Sequence, residues 1–269
     1  MLIWIIGIII GAGLLYALLG YLVIVRMVAP RLDVEADVPT DGLVYQRVTL
    51  AGREAWMIHG TIDTANRHVL VTIPAFGGSR ARLQDAWMGG YWQAAVDAGF
   101  SVLALPDFTV PTTEAAIQYL RSRDENPHIV LHGFSIGASI ATFAASRWPV
   151  TALVADGLAD DLFDAMFVDF RKHAVLRLVS PAVRANLQWS RRIYPAALRG
   201  LQNLRQVDCP VLLVYGAEEP IVSQPLNAGL IAYAQDADRV QTWMIPNTEH
   251  CMGATEKPLE YLAQVSDLR

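Results

Sequence analysis

Ser135 lies in the pentapeptide Gly133-Phe134-Ser135-Ile136-Gly137, between an apolar run of strand character (128–132) and a stretch of helical character (136–147). A serine at such a junction occupies a tight, strained turn that points its hydroxyl away from the sheet, towards the first N–H groups of the helix. Gly133, Gly137 and Ala138 leave room for strand and helix to approach one another. A serine hydroxyl is a poor nucleophile at neutral pH and needs a base, usually a histidine oriented by a carboxylate. The chain has six histidines. His59, His68, His128 and His132 fall in or beside strand-like runs, where packing accounts for them, and His173 falls in a helical stretch. His250 alone follows the last strand-like run and precedes the final helix. A loop there folds back over the carboxyl edge of a parallel sheet, so His250 is the expected general base.

The elements that must position these groups alternate along the chain. Runs at 43–50, 54–59, 68–74, 101–105, 128–132, 151–155, 210–215 and 240–245 are rich in Val, Ile and Leu. The six that follow the opening pair are largely apolar throughout, as strands covered on both faces must be. Helical crossovers are expected at 81–98, 112–123, 136–147 and 224–234, with a last helix at 257–265. The expected fold is α/β: one doubly wound, mostly parallel, eight-stranded sheet occupying 43–269. Residues 157–208 are too long for one crossover and read as two or three inserted helices. An insertion at the carboxyl edge lies over the ligand position and is an expected lid. From Arg171 to Arg205 this insertion carries eight Lys or Arg residues and no Asp or Glu. Such a stretch suits a solvated face, or equally anionic headgroups or a lipid-like substrate.

The third catalytic member should follow the seventh strand, where 210–215 runs into Gly216-Ala217-Glu218-Glu219-Pro220-Ile221-Val222. With the serine, acid and histidine in this order, residues 43–269 resemble an α/β-hydrolase, and within that fold they are most similar to serine-aminopeptidase-like members. The resemblance implies Gly-x-x-Asp after the seventh strand, and the matching position here is Glu219. Glu218 is its rival, and Asp156 or Asp160 serves if the acid follows the sixth strand, as it does in some relatives. The oxyanion hole needs two backbone N–H donors. Ile136 supplies one by its position after the nucleophile. Relatives often carry His-Gly where this chain has Pro74-Ala75, and the following Phe76 is the expected second donor. The resemblance implies a serine hydrolase that cleaves an ester, thioester or amide through an acyl-enzyme. The triad supplies nucleophile and base by itself, so no cofactor or metal is expected. A catalytically silent scaffold binding a protein or lipid is the alternative, and haloperoxidase-like or lyase chemistry is a further one on this fold.

The first segment stands apart from that core. From Leu2 to Val25 no residue is charged, and the 24-residue run would extend roughly 36 Å as a helix against a hydrocarbon thickness of ~30 Å. Residues 1–26 are therefore expected to form a retained single-pass membrane helix and 27–42 a tether. Arg26 and Arg31 follow the run with no basic residue before it, which by the positive-inside tendency places the domain on the cytoplasmic side. The whole chain of 269 residues is 53% hydrophobic and 17% charged, with a net charge of −5. That excludes a disordered chain and disfavours nucleic acid as a partner. Two cysteines, Cys209 and Cys251, are too few for a disulfide scaffold or a cysteine zinc site, and they are expected at opposite ends of neighbouring strands, unpaired.

Overall fold

The computed structural model describes residues 2–28, 43–59, 68–75, 89–123, 127–162, 165, 174–189, 195–219 and 227–268. The strands are β1 (Val44–Leu50), β2 (Arg53–His59), β3 (His68–Ile73), β4 (Ser101–Ala104), β5 (His128–Phe134), β6 (Ala152–Asp156), β7 (Val211–Gly216) and β8 (Val240–Ile245). They form one eight-stranded sheet in the order β1-β2-β4-β3-β5-β6-β7-β8. β1 and β2 make an antiparallel hairpin, β2 runs antiparallel to β4, and every remaining pair is parallel. The sheet is thus mixed at one edge. The Ala51-Gly52 turn, with both residues at positive φ, closes the hairpin too tightly for a crossover helix.

The period of two along each strand sorts the core into two layers. Val71, Ile73, Leu131, Leu153 and Leu213 point to one face, and Leu70, Val130, Val154, Leu212 and Val214 to the other. The first face is covered by α3 (Val110–Arg123) and α4 (Ile136–Ala145), the second by α2 (Gly89–Asp97) and α9 (Pro258–Ser266). Every residue of α4 is buried. Its run of small residues, Gly137, Ala138, Ala141, Ala144 and Ala145, admits neighbours on all sides.

Beyond β6 come α5 (Ala174–Trp189), a 3-10 turn (Pro195–Leu198) and α6 (Gly200–Leu204), in the place of the expected insertion. α7 (Ala228–Asp236) connects β7 to β8. The expected last helix is α9 (Pro258–Ser266), and a short α8 (Gly253–Glu256) that was not expected precedes it, separated by Lys257 at φ −136° and ψ 55°. Pro258 causes the break, because its ring drives the preceding residue out of the helical region. α1 (Leu2–Val28) runs two residues past the expected end of the apolar helix. It is long and apolar enough to cross a membrane, a character that secretory signal sequences share. Its side chains between Ile6 and Val23 are almost wholly exposed, which a core helix of a soluble protein would not tolerate.

Candidate active site

Ser135 stands where β5 ends and α4 begins, with φ 55° and ψ −116°. An L-residue reaches positive φ only at a steric cost, so the surrounding contacts must hold it there. They are visible. The Ser135 N–H donates to the Asp156 carbonyl at 2.8 Å, extending the β5–β6 ladder by one rung, while the Ser135 carbonyl accepts from Ala138 N–H at 2.9 Å. A Cβ on Gly133 would lie 2.1 Å from the Gly137 carbonyl oxygen, and one on Gly137 would lie 2.4 Å from that of Ile73. Both glycines are therefore required by close approach. The contact between Gly137 and Ile73-Pro74 also carries the chain leaving β3 past the first turn of α4. Phe76, expected as an oxyanion donor, lies outside the described residues. Ile136 is the first residue of α4, where an N–H has no intrahelical acceptor.

His250 and Glu219 meet. The His250 Nδ1 is hydrogen-bonded to Glu219 Oε1. Glu219 is buried on a tight turn closed by its N–H to the Gly216 carbonyl at 3.1 Å, whereas Glu218 points its side chain to solvent. The loops after β7 and β8 are tied together by Glu218 N–H to Thr248 O at 3.1 Å and Ala217 N–H to Ile245 O at 2.9 Å. The acid and the imidazole thus reach one another by backbone pairing rather than by side-chain length. Burial alone would lower the His250 pKa, but the Glu219 hydrogen bond and charge, helped by the Asp156 charge, outweigh it and raise the value above 6.5. With Nδ1–H given to Glu219, Nε2 is left as the acceptor that a base needs.

The other acids serve elsewhere. Asp160 Oδ1 accepts the Leu230 N–H at 2.8 Å, near the start of α7. Asp156 Oδ2 accepts the Tyr261 hydroxyl at 2.8 Å. That hydroxyl lies 3.0 Å from His132 Nε2, and His132 Nδ1 lies 3.0 Å from the Tyr91 hydroxyl. One direction of donation satisfies the whole buried chain: Tyr91 O–H to Nδ1, Nε2–H to the Tyr261 oxygen, and Tyr261 O–H to Asp156. Burial lowers the His132 pKa to about 3 and raises that of Asp156 to about 7. His132, expected from the sequence to be a packing residue, is instead the middle of this buried chain, and its tyrosine partners have no counterpart among the expected site residues. The available signal was a histidine inside a fully apolar strand, which must be paired there.

Cys251 is buried beside the base. Its Sγ lies 3.6 Å from His250 Nε2 and 3.5 Å from the Asp156 carbonyl oxygen. Burial, reinforced by the Asp156 and Glu219 charges, pushes the thiol well above its ordinary value, so it stays protonated. Cys209 and Cys251 are both free. A Cβ on Gly157 would come within 2.4 Å of His250 Cε1, so the ring is packed from that side as well. The remaining histidines are remote from this edge: His68 and His128 face each other, 4.6 Å between ring centroids, at the amino ends of β3 and β5. His173 lies outside the described residues.

No family model and no curated protein matches the chain. Among solved structures it is similar to the Pyrococcus furiosus esterase Pf2001, with TM-score 0.65 and 18% identity over 90% of this chain and 97% of that one. It is also similar to an esterase from the bacterial hormone-sensitive lipase family, at TM-score 0.62 and 19% identity over 86% and 84%. Est1E from Butyrivibrio proteoclasticus aligns at TM-score 0.57 and 16% identity over 82% and 99%. With its sheet order and the strained serine after β5, the chain has the α/β-hydrolase fold.

Proposed function

We propose that the chain is a serine hydrolase of esterase type, cleaving an acyl ester, thioester or amide, and that α1 holds it in a membrane with the domain on the cytoplasmic side. The observation that carries the catalytic part is the His250–Glu219 pair on loops beyond β7 and β8, at the same sheet edge as the strained Ser135. In this reading Ser135 Oγ attacks the acyl carbonyl carbon while its proton passes to His250 Nε2. Glu219 holds the Nδ1–H and stabilises the imidazolium. The carbonyl oxygen gains the negative charge and is met by the N–H groups of Ile136 and Phe76. When the tetrahedral centre collapses, His250 returns the proton to the leaving oxygen, sulfur or nitrogen, leaving an acyl ester on Ser135. Water, deprotonated by His250, then releases the acid and restores the serine.

Esterases among the structural neighbours support an ester as substrate. The test is hydrolysis of p-nitrophenyl acyl esters by the full chain in detergent, compared with Ser135→Ala and His250→Ala. Turnover lost in both variants supports the reading. A folded wild type no faster than Ser135→Ala supports a silent scaffold instead.

A further inference from the structure

α1 does not stand free of the domain. The Tyr16 hydroxyl donates to the Leu178 carbonyl at 2.6 Å, and Asn186 Nδ2 donates to the Ala17 carbonyl at 3.0 Å. On α5 these bonds lie one turn to either side of Ala182, and there α1 crosses at Gly20, which is buried: a Cβ on Gly20 would lie 2.6 Å from the Ala182 carbonyl carbon. A glycine at the crossing lets two helix backbones touch, and Val23, one turn on, packs against the domain core. The second half of α1 is therefore docked on α5 and only the first half projects.

That docking conflicts with a domain hanging clear of the bilayer. From Leu2 to Ala17 the helix rises ~22 Å at about 1.5 Å per residue, less than the ~30 Å hydrocarbon core. α1 can span only if its docked half also enters, and α5 is then drawn inward by roughly 8 Å. Amphipathic helices lying in the interface sit ~5–10 Å deep, so the shortfall matches their depth.

The exposed face of α5 is built for that position. At 3.6 residues per turn, Leu178, Pro181 and Ala185 form a strip adjoining the α1 contact, and all three are exposed, Leu178 to 71%. On the far side of that strip, away from α1, lie the exposed Arg177 and Arg184, and α5 contains no Asp or Glu. The order across the surface is thus apolar α1, apolar strip, then cations, as the order in a bilayer is acyl chains, then phosphates. Resting on the reading of α1 as a membrane helix, we propose that α5 lies in the interfacial layer of an anionic phospholipid bilayer, with Leu178 among the acyl chains and Arg177 and Arg184 at the phosphates.

The test places nitroxide labels on the full chain in phosphatidylcholine–phosphatidylglycerol vesicles and compares their collision with oxygen and with a water-soluble nickel chelate. Single sites are Trp4→Cys, Leu178→Cys and Leu259→Cys in a Cys209→Ser background. Trp4 is 79% exposed on the projecting half of α1, and Leu259 is 76% exposed on α9, which covers the other face of the sheet. The expected result is acyl-chain behaviour at 4 and 178 and aqueous behaviour at 259, with the 178 label moving towards water in Arg177→Glu/Arg184→Glu. Acyl behaviour at 4 with aqueous behaviour at 178 overturns the interfacial placement while leaving the anchor intact. Aqueous behaviour at both 4 and 178 overturns the anchor and the placement together.

Discussion

His250 is set as a base by two opposed effects, and the balance between them is open to measurement. Burial disfavours its charged form, and the Glu219 carboxylate restores and exceeds what burial removes. The acid limb of kcat/KM should therefore have its midpoint above pH 6.5, since only the neutral ring accepts the serine proton. Glu219→Gln keeps the shape but removes the charge and permits the wrong tautomer. It should lower kcat on the order of 10³–10⁴-fold and move the acid limb to lower pH. An unchanged limb would remove Glu219 from this role. Cys251 provides a second check at the same scale. Its Sγ lies within the hydrogen-bonding reach of sulfur from Nε2, but its thiol is held protonated and carries no thiolate nucleophile. Cys251→Ala should keep most ester turnover, measured beside Ser135→Ala, which should keep none.

At the scale of elements, the chain of bonds from Tyr91 on α2 through His132 on β5 and Tyr261 on α9 to Asp156 on β6 links one covering layer to the centre of the sheet. Its two titrating members oppose each other. Asp156 keeps its proton to about pH 7 when folded but loses it near 3.8 when unfolded, so its contribution to stability is lost as pH rises through 3.8 to 7. His132 is neutral down to about pH 3 when folded but protonates near 6.5 when unfolded, so its contribution is lost as pH falls through 6.5 to 3. Between roughly pH 4 and 6.5 the two slopes cancel. Asp156→Asn removes one of them while keeping an acceptor for Tyr261. Its urea-unfolding free energy, relative to wild type, should rise by up to ~1.4 kcal/mol per pH unit across that window. A difference independent of pH would show that Asp156 is ionised in the folded chain. That His132 needs partners was legible from its place in an apolar strand, but which partners was not, because residues 91, 132, 156 and 261 share no local spacing. The strands and the Ser135 turn were legible, because apolar runs and two flanking glycines are local signals. Glu219 was reached only through the matching position after β7. Backbone pairing between the β7 and β8 loops selects it over Glu218, and a sequence does not display that pairing.

In the whole molecule, α1 meets the sheet-centred core only at its margin, through Val23, yet it is bonded to α5 through Tyr16 and Ala17 and touches it at Gly20. A cleaved signal would leave the Ala182 face of α5 uncovered. The mature chain should accordingly keep its full mass and stay with the membrane fraction after alkaline carbonate washing. A shorter, extractable chain would identify α1 as a signal. In the proposed chemistry Ser135, activated by His250 and Glu219, forms a covalent acyl intermediate. The decisive measurement is intact-mass and peptide analysis of the full chain after reaction with a fluorophosphonate. The expected product is a single phosphonyl adduct on the peptide containing Ser135, absent in Ser135→Ala and formed far more slowly in His250→Ala. A folded wild type that takes up no adduct, or takes it up on another residue, would contradict it.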